Sequence, residues 1–333
     1  MIPAHPLALD QNRKLDECSQ RALTRYYLAS GVGGVAVGVH TTQFAIHDPK
    51  IGLYQPVLEL AAEEVRRAQL EHCIQVAGII GNTEQAVSEA CFAREQGYHL
   101  GLLNLGAWRG VDESQILQHC RHVAEAIPLF GFYLQPAVGG LELSYSFWRE
   151  FAEIEQLCAI KIAAFDRYQT LDVIRALVSA ERLDVALYTG NDDNIVADLI
   201  TPFRFDSKQN QPARFVGGLL GHWAIWTSTA TPLLERCRAS VDDPALLADL
   251  LQLNVEVTDC NAAVFDPAHG FVGCIPGILE VLRRQGLVAT SNCLDADEVL
   301  SEGQADEITR VCQAYPHLTD DEFVLENLDS WRS

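Results

Sequence analysis

Lys161 is the residue of this chain whose surroundings most require a chemical explanation. It stands within Leu157-Cys-Ala-Ile-Lys161-Ile-Ala-Ala-Phe165, where its neighbours are all apolar and a solvated ammonium is out of place. Desolvation favours the neutral amine, and a neutral amine attacks a carbonyl carbon to form an imine. Two plainer readings stay open: pairing with a carboxylate such as Asp166, or a side chain reaching out from a strand end. One apolar run earlier, Phe132-Tyr133-Leu134-Gln135-Pro136 places a tyrosine just before a Pro-Ala-Val-Gly-Gly loop. Neighbouring strands lie about 4.8 Å apart, so Tyr133 and Lys161 are expected to meet one bound molecule, with the phenol moving protons. The structural alternative is a packed aromatic with a hydrogen-bonded tip.

A third group of chemical residues lies in Gly38-Val39-His40-Thr41-Thr42-Gln43-Phe44. Loop N–H groups and the hydroxyls of Thr41 and Thr42 can hold a carboxylate, or the hydroxyls can satisfy their own turn. His40, Gln43, Trp108, Asp192 and His222 are the side chains expected around a second substrate. Capping a helix from Asn194 is the commoner role for the Asp192-Asp193 pair. Gly31-Val-Gly33-Gly34 follows a helix and precedes a strand, the reverse of the order a dinucleotide loop needs. His119 with His122, and His40 with His47, lack the carboxylate-rich partner set of a catalytic metal site, so no metal is expected.

Positioning these residues requires strands. Short apolar runs at 34–40, 74–80, 99–105, 129–134, 159–164, 185–189 and 215–219 alternate with segments of helical period at 15–30, 54–69, 83–96, 113–126, 145–157, 171–180 and 191–199. The pattern is that of repeated βα units. With Ile2 to Leu7 as an eighth strand, it predicts a closed (β/α)8 barrel with chemistry at the strand C-termini; an open doubly wound sheet is the alternative. After Thr231-Pro232 the period is helical to the end. The expected division is a barrel over 1–232 and a helical extension over 233–333, with no flexible linker between them.

The chain has 333 residues, 48% of them hydrophobic, and a net charge of −21, which opposes binding to nucleic acid or anionic membranes. No stretch approaches the roughly 18 apolar residues of a membrane span. Ten cysteines are scattered singly, as expected of reduced thiols in a cytoplasmic protein.

Together these segments resemble the dihydrodipicolinate synthase / N-acetylneuraminate lyase family of class I aldolases, across nearly the whole chain and in order. Thr41-Thr42 is similar to the family's Gly-Thr-Thr-Gly-Glu loop, Tyr133-Leu-Gln-Pro136 to its Tyr-Asn-x-Pro segment, and Ile160-Lys161-Ile-Ala to its Ile-Lys-Glu-Ala run. Gly190-Asn-Asp192-Asp193 is similar to its Gly-Asp-Asp turn, and Gly78 to Thr83 to its Gly-Thr-Gly-Ser-Asn loop. The resemblance implies a barrel with a C-terminal helical extension, in which Lys161 forms a Schiff base with pyruvate or a related 2-keto acid. Tyr133 then transfers protons, Thr41 and Thr42 bind the carboxylate, and an aldehyde or sugar-derived molecule is the second partner. It implies no metal or organic cofactor, and a homo-oligomer, dimer or tetramer. His40, Gln43 and Phe44 depart from the Thr-Thr loop pattern, Asn104 and Trp108 replace a Pro-Tyr-Tyr loop, and Val138 stands where dihydrodipicolinate synthases carry an arginine. These departures point away from a true dihydrodipicolinate synthase. A hydratase or dehydratase using the same imine, and a barrel that only binds a small ligand, are the alternatives.

Overall fold

The apolar runs lie side by side as eight parallel strands in the computed structural model of the chain, which describes residues 1–70, 72–206 and 211–333. They are β1 (Ile2–Pro3), β2 (Gly34–Val37), β3 (Ile74–Ile79), β4 (Leu100–Leu103), β5 (Leu129–Leu134), β6 (Leu157–Ala163), β7 (Ala186–Thr189) and β8 (Phe215–Leu220). Each pairs with its successor, except that β1 pairs with β8, Ile2 opposite Leu219. A bridge between Ala4 and Ala36 then ties β1 toward β2 and completes the ring. The first strand is much shorter than the expected Ile2 to Leu7. Pro3 and Pro6 have no N–H to give to a ladder, and pairing ends after the His5 amide bonds the Ala36 carbonyl at 2.8 Å.

Eight helices alternate with these strands: α1 (Glu17–Ala29), α2 (Tyr54–Ala68), α3 (Thr83–Glu95), α4 (Glu113–Ala126), α5 (Tyr145–Phe151), α6 (Arg167–Ser179), α7 (Ile195–Ile200) and α8 (Thr227–Ala239). Side-chain oxygens of Asp16, Asn82, Asp112, Ser144 and Asp166 accept from first-turn amides, which satisfies donors that a helix start leaves unpaired. Asp166 is therefore occupied capping α6, and the reading that pairs it with Lys161 does not hold. The expected boundary after Pro232 falls inside α8, which begins before the proline and continues past it.

Four further helices follow: α9 (Leu247–Phe265), α10 (Cys274–Arg284), α11 (Gln304–Ala314) and α12 (Asp321–Arg332). α9 packs against α7, α10 and α11, while α12 packs against α1. Two glycines permit close approach at the α9–α10 turn. A Cβ on Gly277 would stand 2.0 Å from the Val264 carbonyl oxygen, and one on Gly273 would meet the Gln304 side chain. Gln304 Nε2 donates to the carbonyls of Ala263, Val264 and Gly273, closing acceptors that the end of α9 leaves open.

The core has two layers. Ile2, Ala36, Val76, Leu102, Phe130 and Leu219 fill the barrel lumen, and a larger cluster lies between the strands and the surrounding helices. Residues of alternate parity along each strand feed the two layers, the period-2 alternation of a pleated strand.

Candidate active site

Lys161 lies on β6 between Ala159 and Ala163 and faces the lumen layer, opposite Phe132 on β5 and Tyr188 on β7. It is 7% exposed. Its Nζ sits 4.6 Å from the centroid of the Phe132 ring. Its stem crosses the strand end at Gly190, where an added Cβ would stand 2.6 Å from Lys161 Cε. A cavity of about 50 Å³ opens here, walled by Lys161, His40, Thr41, Phe132, Gln135 and Asp192, among others. By the ~10–15 Å³ that one buried water occupies, this is room for a few heavy atoms.

Burial dominates the electrostatics. It pushes the Lys161 amine down from the usual lysine range toward about 8, opposed by the carboxylate of Asp192. It pushes the Asp192 carboxyl up, opposed by Lys161 and by the His222 amide, which donates to Asp192 Oδ1 at 3.2 Å. The two shifts bring amine and carboxyl toward one another, so moving a proton between them costs little. Burial, with the charge of Lys161 beside it, holds the His40 imidazole at about 4, so His40 is neutral at physiological pH.

The structure brings together only part of the set expected from sequence. Lys161, His40, Thr41 and Asp192 meet at the cavity. Tyr133 does not. Phe132 and Leu134 take the lumen-facing positions of β5, so Tyr133 points the other way, 1% exposed, with its ring 5.2 Å from Trp148 in the helix layer. A pleated strand turns successive side chains to opposite faces, so a tyrosine adjacent to Phe132 cannot share its face. The Thr42 hydroxyl accepts from the Gly38 and Val39 amides and donates to the His5 carbonyl. Thr41 donates its hydroxyl to the Ala4 carbonyl at 2.8 Å. Both hydroxyls thus tie the loop to the backbone of the first strand segment.

Gln43 lies off the cavity, its Oε1 accepting from the Leu294 amide. His222 stands behind Asp192 rather than in the cavity, its Nδ1 2.6 Å from Asn261 Oδ1, while Asn261 Nδ2 donates to the Asp192 carbonyl. Trp108 stacks on His119 and donates to the Gly81 carbonyl. Among the described residues no group of three His, Cys, Asp or Glu side chains gathers as metal ligands do, and no helix is long and apolar enough to cross a membrane.

Sequence reasoning missed the far wall. Phe265, Phe271, Cys274 and Ile278, all beyond the last strand, cover the strand ends. The one signal for them was the turn-rich Asp266-Pro-Ala-His-Gly-Phe-Val-Gly273 interrupting a helical region. Gly190 was visible only as part of a turn, not as the floor beneath a lysine stem.

A closed ring of eight parallel strands, with a cavity holding Lys161 and Asp192 at the strand C-termini, defines a (β/α)8 barrel with a strand-end site. No family model matches the chain. It is 24% identical over 197 residues to an N-acetylneuraminate lyase of Escherichia coli (strain SMS-3-5 / SECEC), covering 57% of this chain and 62% of the relative. It is 25% identical over 203 residues to one of Citrobacter koseri, covering 60% and 65%. The matched stretch thus spans under two thirds of these relatives. In fold, the chain is similar to CdNal from Clostridium difficile in complex with mannosamine, with a TM-score of 0.74 at 16% identity over 95% of this chain and 98% of that one. It is also similar to dihydrodipicolinate synthase from Oceanobacillus iheyensis, with a TM-score of 0.73 at 19% identity over 95% of both chains. In sequence the chain is thus similar to N-acetylneuraminate lyases, and in fold to N-acetylneuraminate lyases and dihydrodipicolinate synthases alike.

Proposed function

We propose that this chain is a class I lyase or synthase whose Lys161 forms an imine with pyruvate or another short 2-keto acid, and that the imine serves as the electron sink for making or breaking a carbon–carbon bond. The observation that carries this reading is a buried lysine seated over Gly190 at the base of a small strand-end cavity. Burial lowers the amine's affinity for its proton, and Asp192, raised by the same burial, accepts it. The neutral amine attacks the keto carbon, and Asp192 returns the proton as water leaves. His40, neutral at the cavity wall, is the second group able to exchange a proton. Tyr133 faces the helix layer, so these two residues take the role first expected of it. The chemistry needs no metal or organic cofactor. Val138 lines the cavity without offering a cation, which argues against an acceptor anchored by its own carboxylate, and so against dihydrodipicolinate synthesis. The chain is proposed to work in the cytoplasm as a dimer or tetramer, which light scattering would test.

The test is borohydride trapping. The protein is incubated with pyruvate, reduced and digested, and the mass increase is located among the four lysines, Lys14, Lys50, Lys161 and Lys208. The adduct is expected on Lys161 and absent from Lys161→Ala. Tyr133→Phe is expected to trap within about threefold of the parent, whereas loss of a proton-transfer group costs about a hundredfold or more. No adduct with pyruvate or a panel of other 2-keto acids would overturn the imine and favour a ligand-binding barrel.

A further inference from the structure

Beside the lysine cavity lies a second chamber of about 80 Å³, and the two share Phe165, Asp192, Phe265 and Phe271 as a common wall. Pro267 and Ala262 add to its apolar lining, and both are exposed, so the chamber opens to solvent at that end. Two of the wall residues have unusual backbones. Phe165 has φ of +52° and Phe271 has φ of +69°, left-handed conformations that are strained for a residue other than glycine. Both place a ring at the chamber, edge to face with centroids 5.5 Å apart.

The chamber's polar groups are mostly engaged with one another. The Thr258 hydroxyl donates to the Asp193 carbonyl. The Asn261 carboxamide is bonded at both ends, to the Asp192 carbonyl and to His222, and Asp192 holds the His222 amide. A polyhydroxylated aldehyde entering here would lose water around each hydroxyl and find few free partners to replace it. A flat apolar body loses nothing of the kind and gains the faces and edges of the phenyl rings.

We infer that this chamber is the acceptor subsite of the reaction and that it takes an aromatic aldehyde rather than a sugar. This rests on the imine reading for the adjoining lysine. In the synthetic direction, Asp192 takes a proton from C3 of the Lys161–pyruvate imine to give the enamine, C3 then bonds to the aldehyde carbon, and the aldehyde oxygen takes that proton back from Asp192. Water then hydrolyses the resulting imine, restoring the amine and releasing a 4-hydroxy-2-keto acid. Cleavage runs the same steps in reverse.

The experiment compares benzaldehyde with mannosamine as partner of pyruvate, in the parent protein and in the Phe271→Ala and Ala262→Trp variants. The tryptophan replaces an exposed alanine, so it obstructs the chamber without disturbing a packed core. Benzaldehyde is expected to give the higher kcat/KM by tenfold or more. Each variant should raise the KM for benzaldehyde about tenfold, the range of a lost apolar contact of this size, with a smaller change in the KM for pyruvate. Preference for mannosamine, or a benzaldehyde KM indifferent to both variants, overturns the inference. Binding of benzyl alcohol, followed by saturation-transfer NMR, reads the chamber independently of the lysine. Binding that Ala262→Trp abolishes supports an aromatic subsite even where pyruvate leaves no adduct, and absence of binding in the parent overturns it.

Discussion

Adding one methyl group at Gly190 probes the seat of the lysine. The new Cβ would lie 2.6 Å from Lys161 Cε and 2.8 Å from Ala163 Cβ, so the lysine stem must move. Gly190→Ala is expected to slow adduct formation about a hundredfold, the order of cost for a reacting group displaced by roughly an ångström, at ~1–3 kcal/mol of stability; trapping rate and urea midpoint measure the two effects. The same lysine sets a pH dependence. Its amine is lowered from 10.5 toward about 8, and only the neutral form attacks, so the trapping rate should rise about tenfold per pH unit below that value and level off above it. Asp192 acts against the lowering. In Asp192→Asn the inflection should therefore move to lower pH while the plateau rate falls. An inflection that stays in place would separate the carboxylate from the lysine. Lys161 was legible in the sequence because a charge interrupts an apolar run. The direction of Tyr133 was not, because Leu129 to Leu134 is buried on both faces and a strand of that kind has no polar alternation to fix its phase.

At the scale of elements, the far wall of the site depends on how α10 meets α9. A Cβ at Gly277 would reach 2.0 Å from the Val264 carbonyl oxygen and 2.8 Å from Gln304 Nε2. Gly277→Ala is expected to push the two helices apart at a cost of ~1–3 kcal/mol. It should also weaken pyruvate trapping, because Phe265, Phe271, Cys274 and Ile278 ride on this pair and its turn. Denaturant unfolding together with the trapping rate would check this, and a stability loss with normal trapping would show that the wall does not depend on the contact. The strands and helices of the barrel were readable from periodicity. The covering of the strand ends by α9 and α10 was not, since an apolar helical stripe reports that it is buried but not against what.

For the molecule as a whole, Asp320 is the point where distant parts of the chain are fastened. It accepts from Tyr26 of α1 at 2.7 Å, from the Ser228 amide of α8 at 3.1 Å and from the Gln285 side chain just past α10 at 2.8 Å, and the Tyr26 hydroxyl in turn accepts from the Thr227 amide. Asp320→Ala leaves the buried Tyr26 hydroxyl and the part-buried Ser228 amide without this acceptor and is expected to cost roughly 1–3 kcal/mol, visible as a lower Tm; a change under about 0.5 kcal/mol would mean that water takes its place. Nothing in the spacing of Asp320 distinguished it from its acidic neighbours in the sequence, because its partners come from three remote segments.

The pairing of β1 with β8 also has a consequence in time. The ring cannot close until residue 220 has been synthesised, so the β8-facing edge of β1 waits unpaired through more than two hundred residues of elongation, about 10–40 s at ribosomal speed. A long, flat first strand would spend that interval as a template for other chains. At two residues, the second of them a proline, β1 offers almost nothing to copy. The brevity that makes it the weakest stave of the finished barrel thus makes it the safest to leave waiting on the ribosome.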